Sequence, residues 1–477
     1  NEDDTLIAGF SWHPDSSRIV YGTMMQPDDW RGFMTSWYLH TPDENRQRIL
    51  EDWHSVAMLR WTPDGKNFVF IGEKDEALIG THSDLWVMNI ASGEASNRSA
   101  GLERGIAGSL EGRMPSLGQL RPQIFISEDG QSAYTQVQDG GTVPIYRFAL
   151  SGDVDYGAVL SGDRTCMLLD MADDTLIYSV DTIKYTPDIF VAKTDGSAEK
   201  QQTWLNGTFL EKIIMPETVH LQFKGSDGVA VEGWYVKPTD DTDSPAPTIL
   251  WIHGGPHGAQ GHHFAFDTHM LCGAGYGVMF VNHRASTGYG NAFSTAIKGD
   301  WGNLDYHDLM AGVDMAIEQG LADADKLGVC GISGGGNLST WIVGNTDRFK
   351  AAIPQNPVTN WVSFYGVSDV GVWFATRQLG GHPHEIPDIY RKCSPITYAH
   401  NCTTPTLMIQ CEHDWRCPAE QSEQFYTVLK ANGCTVEMLR QPGGSHGGSI
   451  RGTLPLRRVN LEAKLDWFNT YIMGESQ

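Results

Sequence analysis

The sequence predicts two folds in series: an all-β domain of repeated antiparallel units over residues 1–212, then a mostly parallel, doubly wound α/β domain over residues 213–477. Three observations predict this. One acidic tight turn recurs through the first part of the chain. From about Glu217 short apolar runs alternate with helical patterns instead. A chain of 477 residues also exceeds what one hydrophobic core supports, so two domains are expected.

Trp12-His13-Pro14-Asp15-Ser16 precedes RIVYGT, Trp61-Thr62-Pro63-Asp64-Gly65 precedes KNFVFIGE, Ile126-Ser127-Glu128-Asp129-Gly130 precedes QSAYTQV, and Met171-Ala172-Asp173-Asp174 precedes TLIYSV. Each is a strand, a turn and a second strand. Further strands ending in turns follow, among them DLWVMNIASGE, PIYRFALSGD and DIFVAKTDGS. The turn returns every 45 to 65 residues. A period near 45 with four strands per unit reads as the blades of a β-propeller. About four blades are visible. That is small for a propeller, so the domain is expected to be partial, with earlier blades missing before the abrupt start at Asn1. An antiparallel sandwich is the alternative, and four recurrences of one turn chemistry weigh against it.

In the second half HLQFKGSDGVAVEGWYVKP reads as an antiparallel hairpin. TILWIHGG, GVMFVNHR, LGVCG, AAIPQ, TLMIQCEHD and VEMLRQPG then read as strands. Their near-continuous apolar character is that of parallel strands buried on both faces by helices. Leu304 to Gly320 reads as an amphipathic helix with Leu309, Val313, Met315 and Ile317 on its apolar side and a glycine stop.

Composition narrows the function. Against 58 acidic residues stand 34 basic ones, for a formal charge of −24 and no Lys/Arg run, which excludes nucleic acid as a partner. No apolar stretch approaches the roughly 18 residues of a membrane span, so no membrane partner is expected. The chain begins without Met or a leader; a cytoplasmic place is expected, with a periplasmic or secreted one open if a leader was removed. Eight scattered cysteines without a C-x-x-C pair favour buried thiols over a disulfide framework or zinc site, a Cys393–Cys402 bridge being left open. His253, His257, His262 and His263 lack H-E-x-x-H spacing and a carboxylate partner, so neither a metal nor another cofactor is expected.

The chemistry turns on a serine. GVCGISGGGNLS places Ser333 in a G-x-S-x-G pattern, and Gly443-Gly444-Ser445-His446-Gly447 fits the same pattern. Only Ser333 lies between a strand, LGVCG, and a plausible helix, NLSTWIVGNT. A nucleophile elbow needs that setting, because the serine backbone is strained and side chains two positions before and after would clash; Gly331 and Gly335 meet the requirement. A serine nucleophile also needs a base and an orienting carboxylate, in the chain order Ser, Asp, His for an α/β-hydrolase. Asp414 ends the strand TLMIQCEHD and His446 lies in the loop after VEMLRQPG, so the order holds. No histidine follows His446, so Ser445 has no base after it in that order, and GGSHGG reads as the histidine loop. The oxyanion donors are expected from the backbone N–H of Gly334 and of Gly255 in the His253-Gly254-Gly255-Pro256 loop. Trp361, Phe364 and Tyr365, with Trp373 and Phe374, follow the AAIPQ strand; core packing or the wall of a side-chain pocket would account for them.

HGGP, NHRASTGYG, GDWG, the elbow, TDRFKAA, SFYGVSD, LGGHP, DWRCP and GGSHG run in an order that resembles the prolyl oligopeptidase family of serine peptidases, most of all its acylaminoacyl-peptidase branch. The resemblance covers nearly everything from Glu217 onward; the propeller half agrees in architecture only. It implies a propeller over an α/β-hydrolase domain, Ser333, Asp414 and His446 as the triad, short peptides as substrates, and homo-oligomers as among the assemblies of such relatives. It further implies that Arg416 holds a substrate carbonyl or carboxylate, with surface pairing as the other role. One departure is Gly334, where relatives commonly carry a bulky residue. The expected function is therefore peptide hydrolysis of acylaminoacyl-, dipeptidyl- or oligopeptidase type. A carboxylesterase with the same triad is the alternative, because fold and triad do not fix the leaving group. A non-catalytic propeller scaffold is a third reading.

Overall fold

The computed structural model describes residues 5–25, 35–42, 44, 46–75, 78–111, 122–240 and 245–474. They form two units. The first takes its residues from within Asn1–Leu110, Gln119–Leu205 and Thr287–Ala292, and the second from Glu111–Gly118, Asn206–Ser286 and Phe293–Gln477.

In the first unit the described strands form four successive antiparallel sheets, each a four-strand path in sequence order. Their opening hairpins are Thr5–Trp12 with Ile19–Met25, Ser55–Trp61 with Asn67–Glu73, Phe125–Ile126 with Ser132–Gln138, and Thr165–Ala172 with Thr175–Asp181. The recurring turn lies within each opening hairpin. Asp64 Oδ1 accepts from the Thr62 hydroxyl at 2.6 Å and the Lys66 N–H at 3.0 Å, while Gly65 takes φ +69°. Asp129 repeats this with Ser127 at 2.6 Å, Gln131 at 2.9 Å and Gly130 at φ +70°. A short acid that bonds its own turn, followed by a residue free to adopt positive φ, explains why this chemistry is legible in the sequence. Apolar residues of neighbouring sheets pack together, as Val69, Ile71 and Leu85 do with Ala133, Val137 and Phe148. These are propeller blades.

The second unit holds one eight-stranded sheet. We number its strands β1 (Thr218–Lys224), β2 (Ala230–Val236), β3 (Ala246–Ile252), β4 (Gly277–Asn282), β5 (Ala322–Ile332), β6 (Ala351–Gln355), β7 (Thr406–Cys411) and β8 (Val436–Gln441). Their spatial order is β1-β2-β4-β3-β5-β6-β7-β8. β1 and β2 form the predicted hairpin, β2 pairs antiparallel with β4, and every other pairing is parallel. Every residue of β4, β6 and β7 is buried, as expected of strands covered on both faces. This is the α/β-hydrolase sheet.

Three helices and a histidine loop position the site. α1 (Leu304–Glu318) buries Leu309, Met310, Val313 and Ala316, whereas Met315 and Ile317, expected on the apolar side, are only half-buried. The true stripe follows the i, i+1, i+4, i+7 spacing, and Met315 and Ile317 fall beside it. α2 (Gly334–Asn345) starts directly after the elbow serine, before the predicted NLSTWIVGNT, and buries Gly334 through Gly344. Three successive glycines read as loop because glycine is a poor helix former, but tertiary contact overrides that preference here. A Cβ on Gly336 would stand 2.6 Å from the Gln355 carbonyl oxygen. α3 (Ala419–Ala431) follows β7 and leads to β8. The carboxyl ends of β3, β5, β6, β7 and β8 therefore deliver the HGGP loop, Ser333, Asn356, Asp414 and His446 to one edge of the sheet.

Candidate active site

Ser333 has φ 58° and ψ −117°, a backbone region that a side-chain-bearing residue rarely adopts. The turn is fixed on both sides: the Ser333 N–H donates to the Gln355 carbonyl at 3.0 Å, and the Ser333 carbonyl accepts from the Asn337 N–H at 2.8 Å. The flanking glycines are obligatory. A Cβ at Gly331 would lie 2.6 Å from the Gly335 carbonyl carbon, and one at Gly335 would lie 2.2 Å from the Ile252 oxygen.

Gly255, at φ +118°, has no room for a side chain either, since a Cβ there would meet the His257 nitrogen at 2.4 Å. A Cβ on Gly334 would be 3.2 Å from the Gly255 nitrogen, so the two backbone segments named as oxyanion donors are immediate neighbours. The Gly255 backbone thus lies against the place where a larger residue after the serine would begin.

Asp414 and His446 meet. The His446 Nδ1–H donates to Asp414 Oδ2 at 2.7 Å, and the Asp414 side chain is fully buried. Its other oxygen accepts from the backbone N–H of Arg416 at 2.9 Å and of Cys417 at 2.8 Å. A carboxylate held by three donors keeps one orientation, fixes the Nδ1–H tautomer and leaves Nε2 as the basic nitrogen. Cys417 joins this pair to the serine, because its Sγ lies 4.0 Å from Ser333 Oγ. Burial, and then the Asp414 charge, push the Cys417 thiol well above its usual range. It stays protonated beside the serine, which removes it as a rival nucleophile.

Several contributors escape a reading of the sequence. Asn356, fully buried and at φ 40°, follows β6. Its Nδ2–H donates to the His446 carbonyl at 2.9 Å, its Oδ1 accepts from the Cys411 N–H at 2.9 Å, and its own N–H donates to Ile409 at 2.9 Å. One side chain thereby ties the histidine loop to the strand that ends in Asp414. The Gly254 N–H donates to Glu111 Oε2 at 3.1 Å, and the Glu111 N–H donates to Ala259 at 2.9 Å, which clamps the HGGP loop. His253 is held between the Gly254 carbonyl at 2.7 Å and the Ser286 hydroxyl at 2.8 Å, and its ring stacks on His283 with centroids 4.6 Å apart. His257 Nδ1–H donates to the Ala285 carbonyl at 3.1 Å, and its Nε2 accepts from the Gln378 amide at 2.7 Å. Burial lowers the His257 pKa to about 4 and holds that of His283 well below the usual value. A positive φ at asparagine or a bond across 143 residues leaves no mark in a local pattern.

The remaining candidates lie around this centre. Trp361 and Phe364 are fully buried in an apolar cluster that also contains Trp301, Val370, Ala375 and Cys417, so the aromatic layer reaches the nucleophile through Cys417. Tyr365 packs against that cluster, and its hydroxyl bonds His382 Nδ1 at 2.9 Å. Arg416 forms a two-pronged ion pair with Asp369, Nε at 2.7 Å and Nη2 at 3.1 Å. Cys393 is buried in the aromatic cluster, whereas the Cys402 thiol faces Cys434. No helix among the described residues is long and apolar enough to cross a membrane.

Residues 262–475 match the model of the prolyl oligopeptidase family. An uncharacterised peptidase of Bacillus subtilis, YuxL, is 34% identical over 394 residues, covering 82% of this chain and 60% of its own length. The acylamino-acid-releasing enzyme of Arabidopsis thaliana is 30% identical over 356 residues, covering 68% and 46% respectively. This chain thus spans less than two thirds of the length of the curated relatives it matches. Among solved structures, the acylaminoacyl peptidase of Pyrococcus horikoshii superposes with TM-score 0.84 at 27% identity, over 99% of this chain and 71% of that one. An acylaminoacyl peptidase in complex with Z-Gly-Gly-Phe-chloromethyl ketone gives TM-score 0.85 at the same 27% identity and the same coverage. The chain belongs to the prolyl oligopeptidase family, with its propeller blades and its α/β-hydrolase unit.

Proposed function

We propose that this protein is a serine peptidase that hydrolyses short peptides through an acyl-enzyme. The observation that carries the reading is the continuous contact path from Ser333 through Cys417 to Asp414 and His446 at the carboxyl edge of the sheet. Ser333 Oγ attacks the scissile carbonyl while His446 Nε2 takes its proton, and Asp414 stabilises the resulting imidazolium. The oxyanion is held by the N–H groups of Gly334 and Gly255. The imidazolium gives its proton to the leaving amine, and a water deprotonated by His446 then releases the acyl group as the carboxylic acid. Arg416, set by Asp369, takes a substrate carbonyl or carboxylate, whereas Trp361 and Phe364 are buried core that backs the site and only the partly exposed Tyr365 is left to meet a substrate side chain.

Within that class the acylaminoacyl-peptidase type is favoured, because a relative at 27% identity is an acylaminoacyl peptidase complexed with Z-Gly-Gly-Phe-chloromethyl ketone, a peptide with a blocked amino end. The test is a cleavage profile over short peptides with free and acetylated amino ends, read by mass spectrometry, with Ser333→Ala as the control. Release of an acetylated residue that stops in the variant is expected. Hydrolysis of chromogenic esters with no peptide cut in either set would overturn the peptidase reading.

A further inference from the structure

Two of the cysteines that the sequence scatters come together in the fold. Cys402 follows the single turn Ala399–Asn401 and is buried, whereas Cys434 follows α3 and is partly exposed. Although 32 residues separate them, their Sγ atoms lie 4.0 Å apart. Both thiols point at one acceptor: Cys402 donates to the Thr404 carbonyl at 3.6 Å and Cys434 donates to it at 3.4 Å. The same carbonyl accepts from the Thr406 hydroxyl at 2.8 Å. It would therefore keep a partner if both S–H donors were lost, and no buried acceptor is orphaned by oxidation.

The surroundings make the site selective. Seven cysteines, Cys402 and those at 166, 272, 330, 393, 411 and 417, are buried, and Cys434 alone has partial exposure. Burial pushes the Cys166, Cys272 and Cys393 thiols up to about 12, while the Cys402 S–H beside it lowers that of Cys434. A dissolved oxidant thus meets the most reachable thiol first, with a second thiol already against it.

We propose that Cys402 and Cys434 are a disulfide-forming pair, and that their bond staples the entry ends of β7 and β8 around the segment that carries Asp414, Arg416 and Cys417. The reaction needs a small disulfide as oxidant. The Cys434 thiolate attacks it, forming a mixed disulfide and expelling one thiolate. Cys402 gives up its proton and attacks Cys434 Sγ, expelling the second. In balance, two protein thiols and one small disulfide become one protein disulfide and two small thiols. The S–S bond of about 2.05 Å requires the sulfurs to approach by about 2 Å, a movement that side-chain rotation of the partly exposed Cys434 can supply.

The test uses the reduced full chain and glutathione disulfide. After denaturation, alkylation and proteolysis, a linked Cys402–Cys434 peptide pair and the loss of two alkylated thiols are expected. The thermal midpoint should rise by on the order of 5 °C, because the bond restricts the unfolded chain. Cys402→Val and Cys434→Ala should each abolish both effects; if Cys402→Val fails to fold, Cys434→Ala, at the more exposed position, carries the comparison. Full alkylation of both thiols after oxidation overturns the proposal, as does a stable glutathione adduct on Cys434 with Cys402 still alkylated, or a linked peptide joining Cys402 to Cys393.

Discussion

Ser333 carries the strain of the site and, as proposed, its covalent chemistry. Ser333→Ala should leave the fold intact and lower kcat about 10⁶-fold, because triad members act as a unit. Survival of most activity in that variant would identify another nucleophile. Asp414→Asn replaces an acceptor with a group that cannot hold the Nδ1–H tautomer, and should lower kcat on the order of 10⁴-fold. Asn356 offers a subtler measurement. It joins three backbone groups on either side of the dyad, and Ala at this place removes the bond to the His446 carbonyl together with the one to Cys411. Misplacing a catalytic group by about 1 Å costs as much as 10²-fold, so Asn356→Ala should lower kcat about 10- to 100-fold with little change in KM. Asn356→Asp keeps the acceptor for Cys411 and loses the donor to His446, so it should fall between the two. Equal kcat in all three proteins would show that the histidine loop stands without this tie. The proposed triad can be drawn from the sequence because the elbow serine, acid and base each follow a recognisable strand; Asn356 cannot, because its meaning depends on partners 55 and 90 residues away.

At the scale of elements, the HGGP loop is the most constrained piece of the site. Gly255→Ala would drive a Cβ to 2.4 Å from the His257 nitrogen in a backbone conformation that resists side chains, so the loop must shift and its N–H with it. Loss of one oxyanion donor costs about 10²- to 10³-fold in kcat, and that is the expected drop, measured with KM and thermal midpoint in parallel. The loop is also expected to respond to acid. His257 is bonded as a neutral ring, an N–H on Ala285 and a lone pair facing the Gln378 amide, whose oxygen in turn accepts from Trp301 Nε1 at 3.2 Å. Protonation would set N–H against N–H in a buried place. With the folded pKa depressed to about 4 from the ordinary 6.5, its stabilising effect is complete above the ordinary value and is lost as pH falls toward 4. Denaturant midpoints should therefore decline from pH 6.5 to 4, and His257→Gln, which cannot charge, should decline less; parallel curves would exclude His257 as the sensor. The sequence shows these histidines as a group and their spacing rejects a metal, yet their structural use depends on Ala285 and Gln378, which come from other elements. Likewise α2 begins earlier than its pattern predicts, because its glycines look like loop until the strands against them are in place.

At the scale of the whole molecule, turn chemistry and strand patterning make both folds legible, since an aspartate bonding its own turn and an apolar run are local signals. The clamp of Glu111 on the Gly254 N–H is the opposite case, a carboxylate carried far up the chain to the HGGP loop, and no composition or period foretells it. One global property follows from composition alone: the formal charge of −24. A field of that sign raises the encounter rate of cationic substrates and lowers that of anionic ones, and it is screened over about 10 Å at 0.1 M salt. For two peptides with the same cleavable residue, one extended by lysines and the other by glutamates at positions remote from the cut, kcat/KM should respond to salt in opposite directions. Raising ionic strength from about 0.02 to 0.5 M should lower the value for the lysine peptide and raise it for the glutamate peptide, while kcat for each stays level because screening acts on encounter and not on the acyl-enzyme. If both values moved together, the salt would be acting on the protein fold or the proposed triad, and the net charge would have no part in selecting what this protein meets.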